Sequence, residues 1–225
     1  MEYCRMAVPA QRLEGTVIIV GGASLPLVMA AGAPYGALLL AAGLMMAVAL
    51  LVLFRFREIP PVTSQVGMLC FGLLYVPLLL GFLAMLRTEP NGINWIFLML
   101  VIVMSGDSAA YYTGSTLGRR KLYPSVSPNK SVEGSLGGLA GSLAGTLIAK
   151  ATFFPQLGIV DCLVTALTLG VLGQLGDLFE SLLKRSCGVK DSGTIIPGHG
   201  GILDRLDSIL FAAPAAYCYA HYFFH

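Results

Sequence analysis

The stretch from Asp177 to Ser208 holds most of the charge in the second half of the chain, together with a histidine and several glycines, between two apolar segments. On a helix at about 100° per residue, Asp177, Glu180, Ser181 and Lys184 fall within an arc of roughly 100°, so one face carries acid, hydroxyl and base together. The helix is expected to end near Cys187-Gly188. A flexible link through Lys190, Asp191 and Gly193 follows, and Pro197 to Gly201 turns the chain back towards Asp204, Arg205 and Asp207. A segment folded back in this way can set Asp204 opposite Asp177. Carboxylate oxygens bind hard divalent ions, and Lys and Arg neutralise phosphates, so alternating carboxylates and cations suit a polyanion held through a metal. The plainer reading, a solvated loop between two membrane spans, accounts less well for this density of charge.

A second charged region runs from Ser105 to Gly134 and includes Asp107, Arg119, Arg120, Lys121, Ser127, Lys130 and Glu133. An acid near the end of an apolar segment is costly to bury and is a functional candidate, although a shallow Asp107 could simply meet headgroup water. Pro128 interrupts any helix, and the helix that follows offers free N–H groups that attract phosphate, with Lys130 adding charge beside them. The alternative is an interfacial loop whose lysine meets anionic lipid. His199 stands alone in its region, flanked by Gly200 and Gly201, whose lack of side chains suits close backbone approach, for instance to a phosphate. Its role stays open. The phosphate loop G-x-x-x-x-G-K-[ST], the zinc motif H-E-x-x-H and the elbow G-x-S-x-G do not occur, so phosphorus chemistry would rest on carboxylate-held metal.

The elements that position these groups are membrane spans. Of 225 residues, 56% are hydrophobic and 12% charged, against about 25% charged in a soluble domain, and the mean hydropathy is +0.78. A net charge of +2 gives no argument for nucleic acid. Cys4, Cys70, Cys162, Cys187 and Cys218 show no C-x-x-C spacing and read as small apolar residues. Residues 1–15 are read as lying outside the bilayer. Seven spans are expected, at about 16–33, 35–54, 66–86, 93–112, 134–149, 158–183 and 206–224. The first, short and containing Pro26, resembles a signal segment but is read as retained. In the fifth, Gly137, Gly141 and Gly145 share one side, where helix backbones can approach closely. Glu58, Lys150 and Asp161 are read as interfacial. Twelve Lys and Arg residues fall in the N-terminus and the loops after spans two, four and six, and only Arg87 and Lys150 on the other side. By the positive-inside rule the N-terminus and both charged regions are cytoplasmic. The fold class expected is all-α, a polytopic integral membrane protein forming one membrane-embedded domain over 1–225, with N-terminal spans in 1–100 and a catalytic region in 101–225.

The run Ser181-x-x-Lys184-Arg185, Lys190-Asp191-x-Gly193, Pro197-x-His199-Gly200-Gly201, Asp204-Arg205-x-Asp207 resembles the signature of the phosphatidate cytidylyltransferases, the CDP-diacylglycerol synthases. Asp107-x-x-Ala110-Tyr111-x-x-Gly114 and Ser127-Pro128-x-Lys130-x-x-Glu133-Gly134 are similar to further motifs of that family, which often has Lys where this chain has Asn129. The resemblance covers about Asp107 to Ser208. Many bacterial members have more sequence ahead of the Asp107 motif, so the lipid-side wall and a dimer contact are the parts it covers least. It implies reaction of CTP with phosphatidate to give CDP-diacylglycerol and pyrophosphate, with Mg2+ and a second cation also plausible; a bacterial cytoplasmic membrane is the location expected by default, with an organellar membrane open. It further implies that Asp177 and Asp204 are the metal pair, and that Lys184, Arg185, Lys190 and Arg205 bind triphosphate or lipid phosphate. Asp107, Ser127, Lys130, Glu133, Ser181, His199, Gly200 and Gly201 would support substrate binding, and the partners expected are CTP, membrane lipid and a second copy of the chain. A CTP-dependent transferase acting on another lipid phosphate, an anion transporter and an inactive scaffold are the competing readings.

Overall fold

The computed structural model of the chain describes residues 1–7, 12–56, 59–195 and 200–224, with side chains except at 12–14 and 34. The helices are α1 (Glu2–Ala7), α2 (Arg12–Ala30), α3 (Pro34–Arg55), α4 (Val62–Thr88), α5 (Gly92–Leu117), α6 (Val132–Thr152), α7 (Ile159–Ser186) and α8 (Leu203–Tyr222). Helices α2 to α8 coincide with the seven expected spans. By length and composition α3, α4, α5 and α7 can each cross a membrane, and α2 contributes a shorter apolar stretch, Gly15–Ala30. The protein is therefore an all-α polytopic membrane protein. Leu38, Leu39, Leu50, Leu53 and Phe54 of α3 stay exposed, as side chains facing hydrocarbon rather than water can.

Two features were not expected from the sequence. Helix α1 folds back onto α4 within 1–15, a stretch read only as lying outside the bilayer. A small antiparallel hairpin, β1 (Lys121–Tyr123) paired with β2 (Ser127–Ser131), fills the connection between α5 and α6. Its strands are three and five residues long, too short for periodicity to signal them.

Short turns reverse the chain between α2 and α3, between α4 and α5 and between α6 and α7. At the α4–α5 turn Asn91 takes a left-handed conformation with φ 56°. A Cβ on Gly92 would come within 2.5 Å of the Leu86 and Arg87 carbonyl oxygens, so only glycine fits that turn. The alternation gathers the ends of α3, α5 and α7 and the starts of α2, α4, α6 and α8 at one end of the bundle. At the other end, Trp95 packs edge-on against Phe154 and Phe224 within a core that includes Leu98, Met99, Leu157 and Ala216. Lys150 and Asp161 also lie there. Lys150 bonds the Leu157 carbonyl, and Asp161 accepts from Gly158 N–H at 2.6 Å and Tyr219 hydroxyl at 2.6 Å, so both close helix ends.

The most extensive helix pair is α5 with α6. The expected small-residue seam forms it: Gly137 meets Thr113, Gly141 meets Ala109 and the Ser105 carbonyl, and Gly145 meets Ser105. Ser142 crosses the seam to donate to the Ile102 carbonyl at 2.9 Å. This contact sets Asp107 on α5 in register with Lys130 and Glu133 at the start of α6. Beneath the charged end, Phe71, Tyr75, Phe179 and Phe211 stack across α4, α7 and α8, with ring centroids 5.0 to 6.2 Å apart.

Candidate active site

Helix α7 runs unbroken through Asp177, Glu180, Ser181, Lys184 and Arg185, so the face expected from their spacing exists. It ends at Cys187, and Gly188 takes a left-handed conformation (φ 71°) that turns the chain away. Across from it, Ser131 ends β2 and caps α6, its hydroxyl accepting from Gly134 N–H at 3.1 Å. Glu133 accepts from the N–H groups of Arg119 and Arg120 at 3.0 and 3.1 Å, which ties the hairpin to the first turn of α6. These two caps fix Lys130, one residue before Ser131, so that its ammonium lies 2.5 Å from Asp177 Oδ2. Neither group is deeply buried, with side-chain exposures of 29% and 33%.

A second and more buried pairing lies about two turns along α7. Lys184 Nζ lies 2.5 Å from Glu180 Oε2 and 2.6 Å from Asp204 Oδ1. Glu180 is fully buried, and its Oε1 has no hydrogen-bond partner among the described residues; nor does the buried Tyr75 hydroxyl. Asp204 Oδ2 accepts from Ser192 N–H at 2.9 Å, Ser192 hydroxyl at 2.8 Å and Gly201 N–H at 2.7 Å. The expected fold-back is therefore present but one turn out of register: Asp204 meets Lys184, and Asp207, one helical turn on, lies within electrostatic reach of Asp177 and Asp107. The cause is backbone packing at the α7–α8 crossing, where a Cβ on Gly176 would lie 2.5 Å from the Asp207 carbonyl oxygen.

The remaining candidates surround this core. Asp107 lies within electrostatic reach of Asp177 and Lys130. Ser127 sits in β2, opposite Tyr123. Arg185, Lys190 and Arg205 are exposed at the rim, with Arg185 donating to the Val189 carbonyl at 3.3 Å. Ser181 is half-buried on α7. Gly200 (φ 80°) and Gly201 leave room for carboxylates: a Cβ on Gly200 would lie 2.6 Å from Asp204 Oδ2. His199 and Pro197 lie outside the described residues. Glu180 was legible from its four-residue spacing to Lys184 on one face of α7, whereas Asp207 was legible only as an acid of the charged stretch, with no spacing that marked it as the acid near Asp177. Ser192 and Gln174, whose amide bonds the Ser135 carbonyl at 3.0 Å, carried no signal at all.

The acids at the site supply the oxygen donor type that a hard cation takes. The donors are carboxylate oxygens, and ammonium groups already occupy cationic positions 2.5 to 2.6 Å from them. No three of His, Cys, Asp and Glu converge on a single point among the described residues.

A family model described as "Cytidylyltransferase family" matches residues 1–223. The phosphatidate cytidylyltransferase of Bacillus subtilis (strain 168) is 41% identical over 155 residues, 68% of this chain and 58% of that protein. The enzymes of the same name from Staphylococcus epidermidis (strain ATCC 12228 / FDA PCI 1200) and Staphylococcus aureus (strain COL) are 43% and 44% identical over 135 residues, 60% of this chain and 52% of each relative. The chain spans about half the length of these curated relatives.

Proposed function

The chain belongs to the cytidylyltransferase family, and from that membership we propose that it transfers a cytidylyl group from CTP to phosphatidate, giving CDP-diacylglycerol and pyrophosphate. The observation that carries the reading is the double pairing at one end of a membrane bundle, Lys130 with Asp177 and Lys184 with Glu180 and Asp204. It is a store of exchangeable positive charge beside lipid-facing helices. In the reaction, an oxygen of the lipid phosphate attacks the α-phosphorus of CTP and the bond to the β-phosphate breaks. The nucleophile is already anionic, so no strong general base is needed; the difficulty is to bring two anions together and to disperse charge on the pyrophosphate leaving group.

Lys130 and Lys184 supply that neutralisation when they turn from their carboxylates to phosphate, and Arg185, Lys190 and Arg205 at the rim receive the incoming triphosphate. Asp177 would hold Mg2+, with Asp107 and Asp207 within electrostatic reach of it, and Asp204 beside Lys184 would hold a second cation. When bound, Mg2+ supplies Lewis-acid charge and aligns the phosphates. Glu133 works indirectly, by fixing the backbone that carries Lys130. We place the site on the cytoplasmic face of a bacterial inner membrane, in a chain that pairs with a second copy, with the acyl chains entering sideways from the inner leaflet.

The deciding experiment is magnesium-dependent incorporation of labelled CTP into lipid by the purified chain with phosphatidate, run beside Asp177→Asn. Labelled CDP-lipid from the unsubstituted chain, and a loss of 100-fold or more in the folded variant, is expected. Product with a different lipid phosphate but none with phosphatidate would refute the acceptor, and no product with any acceptor would refute the activity.

A further inference from the structure

The residue that ties the charged loop down comes from the other end of the chain. Glu2, on α1, is 8% exposed. Its Oε1 accepts the Ile202 N–H at 2.9 Å and its Oε2 the Leu203 N–H at 2.7 Å. Those N–H groups open α8, where a helix has no internal acceptors, and Ile202 at the cap position provides no side-chain bond. The carboxylate also sits at the positive end of the α8 dipole. The Ser192 hydroxyl lies 2.8 Å from Asp204 Oδ2 and 3.4 Å from Glu2 Oε2, so the two carboxylates grip the same turn.

The loop backbone leaves space for this intrusion. A Cβ on Gly193 would lie 2.8 Å from Glu2 Oε1, and one on Gly201 would lie 2.6 Å from it. Helix α1 is held independently of the loop: the Tyr3 hydroxyl donates to the Met68 carbonyl of α4 at 2.9 Å, and its ring covers Gly72 and tilts against Phe71 at 6.0 Å. Burial pushes the Tyr3 phenol well above its ordinary range, so it stays a donor.

We infer that Glu2 is a positioning residue for the cytidylyl transfer, holding the backbone at Ser192 and Gly201–Leu203, and through it the Asp204–Lys184 pair. Glu2 touches no substrate; it acts through the start of α8. The inference rests on the activity proposed above, so its test carries a readout independent of turnover.

Hydrogen exchange is measured on the full chain in lipid nanodiscs, unsubstituted and as Glu2→Ala, alongside steady-state transfer from CTP. Loss of a charge-assisted acceptor is expected to speed exchange at Ile202 and Leu203 about tenfold or more, with the α5–α6 seam unchanged. Over the same comparison kcat falls about tenfold and KM for phosphatidate is unchanged. Gly201→Ala, whose Cβ would crowd both the Ser192 hydroxyl and the Glu2 carboxylate from the loop side, is expected to reproduce both effects, and Glu2→Gln, which keeps one acceptor oxygen, to fall between. Unchanged exchange at 202 and 203, exchange accelerated equally in every helix, or faster local exchange with kcat within twofold would each overturn the inference. Absence of transfer in the unsubstituted control would instead overturn the proposed activity, and that control tells the two failures apart.

Discussion

Replacing Lys184 by Met separates what the ion-pair cluster does for folding from what it does for chemistry. The side chains of Lys184, Glu180 and Asp204 are 13%, 0% and 9% exposed, so the surface regime in which ion pairs count for little does not apply. When the lysine goes, Asp204 keeps three donors, from Ser192 and Gly201. Among the described residues Glu180 keeps none: Lys184 is its ion-pair partner, and its other oxygen is already unpartnered. The cost is thus that of one uncompensated buried carboxylate, about 3–5 kcal/mol. Glu180→Gln removes the charge and leaves a neutral amide whose unmet bonds cost about 1–3 kcal/mol. The double variant Glu180→Gln/Lys184→Met should therefore be more stable than Lys184→Met alone by about 2 kcal/mol, and the Glu180→Gln single variant completes the cycle that isolates the coupling. The assay is reversible unfolding in mixed micelles for the four members of the cycle, with CTP turnover measured on each. Turnover is expected to be lost in both lysine variants, because restoring stability does not restore the cation needed by the phosphates. A Lys184→Met variant within 1 kcal/mol of the unsubstituted chain, or a double variant no more stable than the single, would refute the reasoning; recovery of turnover in the double variant would refute a role for Lys184 at phosphate.

Two further outcomes can be checked. Gly141→Ala should lose about 1–3 kcal/mol by overpacking, since its Cβ would lie against Ala109 and 2.7 Å from the Ser105 carbonyl oxygen. The control Gly43→Ala, with nothing within 4 Å on α3, should stay within about 0.5 kcal/mol in the same unfolding measurement. In a background freed of the five native cysteines, Leu122→Cys in the hairpin should react with an impermeant maleimide only from the cytoplasmic side. Thr88→Cys at the far end of α4 should react only from the other side, and labelling of both from one side would refute the alternating topology.

Much of this architecture was legible because a bilayer leaves a segment few choices. Without water to satisfy backbone groups, long apolar runs must be helices, so α3, α4, α5 and α7 could be placed from hydropathy, while α6 and α8 also needed the glycine spacing and the uneven placement of Arg and Lys. Alternation of the helices then set which ends lie together, and the uneven placement of Arg and Lys gave those ends an expected side. Four-residue spacing of Gly137, Gly141 and Gly145 was enough to foresee a close-packing face on α6, because periodicity on a helix is geometry, but that α5 is the helix packed there was not legible. The same geometry put Asp177, Glu180 and Lys184 on one face of α7. Contacts between distant segments were another matter. That Asp204 falls against Lys184, with Asp207 one turn on nearer Asp177, depends on how deeply α8 seats at Gly176 of α7, and no spacing within either helix encodes it. Glu2 is the clearest instance: an acid in a short polar lead carries no pattern, and only the packing of Tyr3 on α4 delivers its carboxylate to the unmet N–H groups of a helix that begins 201 residues later. Local periodicity determined the elements and their faces, whereas the pairing of charges was decided by close packing, which is a property of surfaces that meet only in the folded bundle.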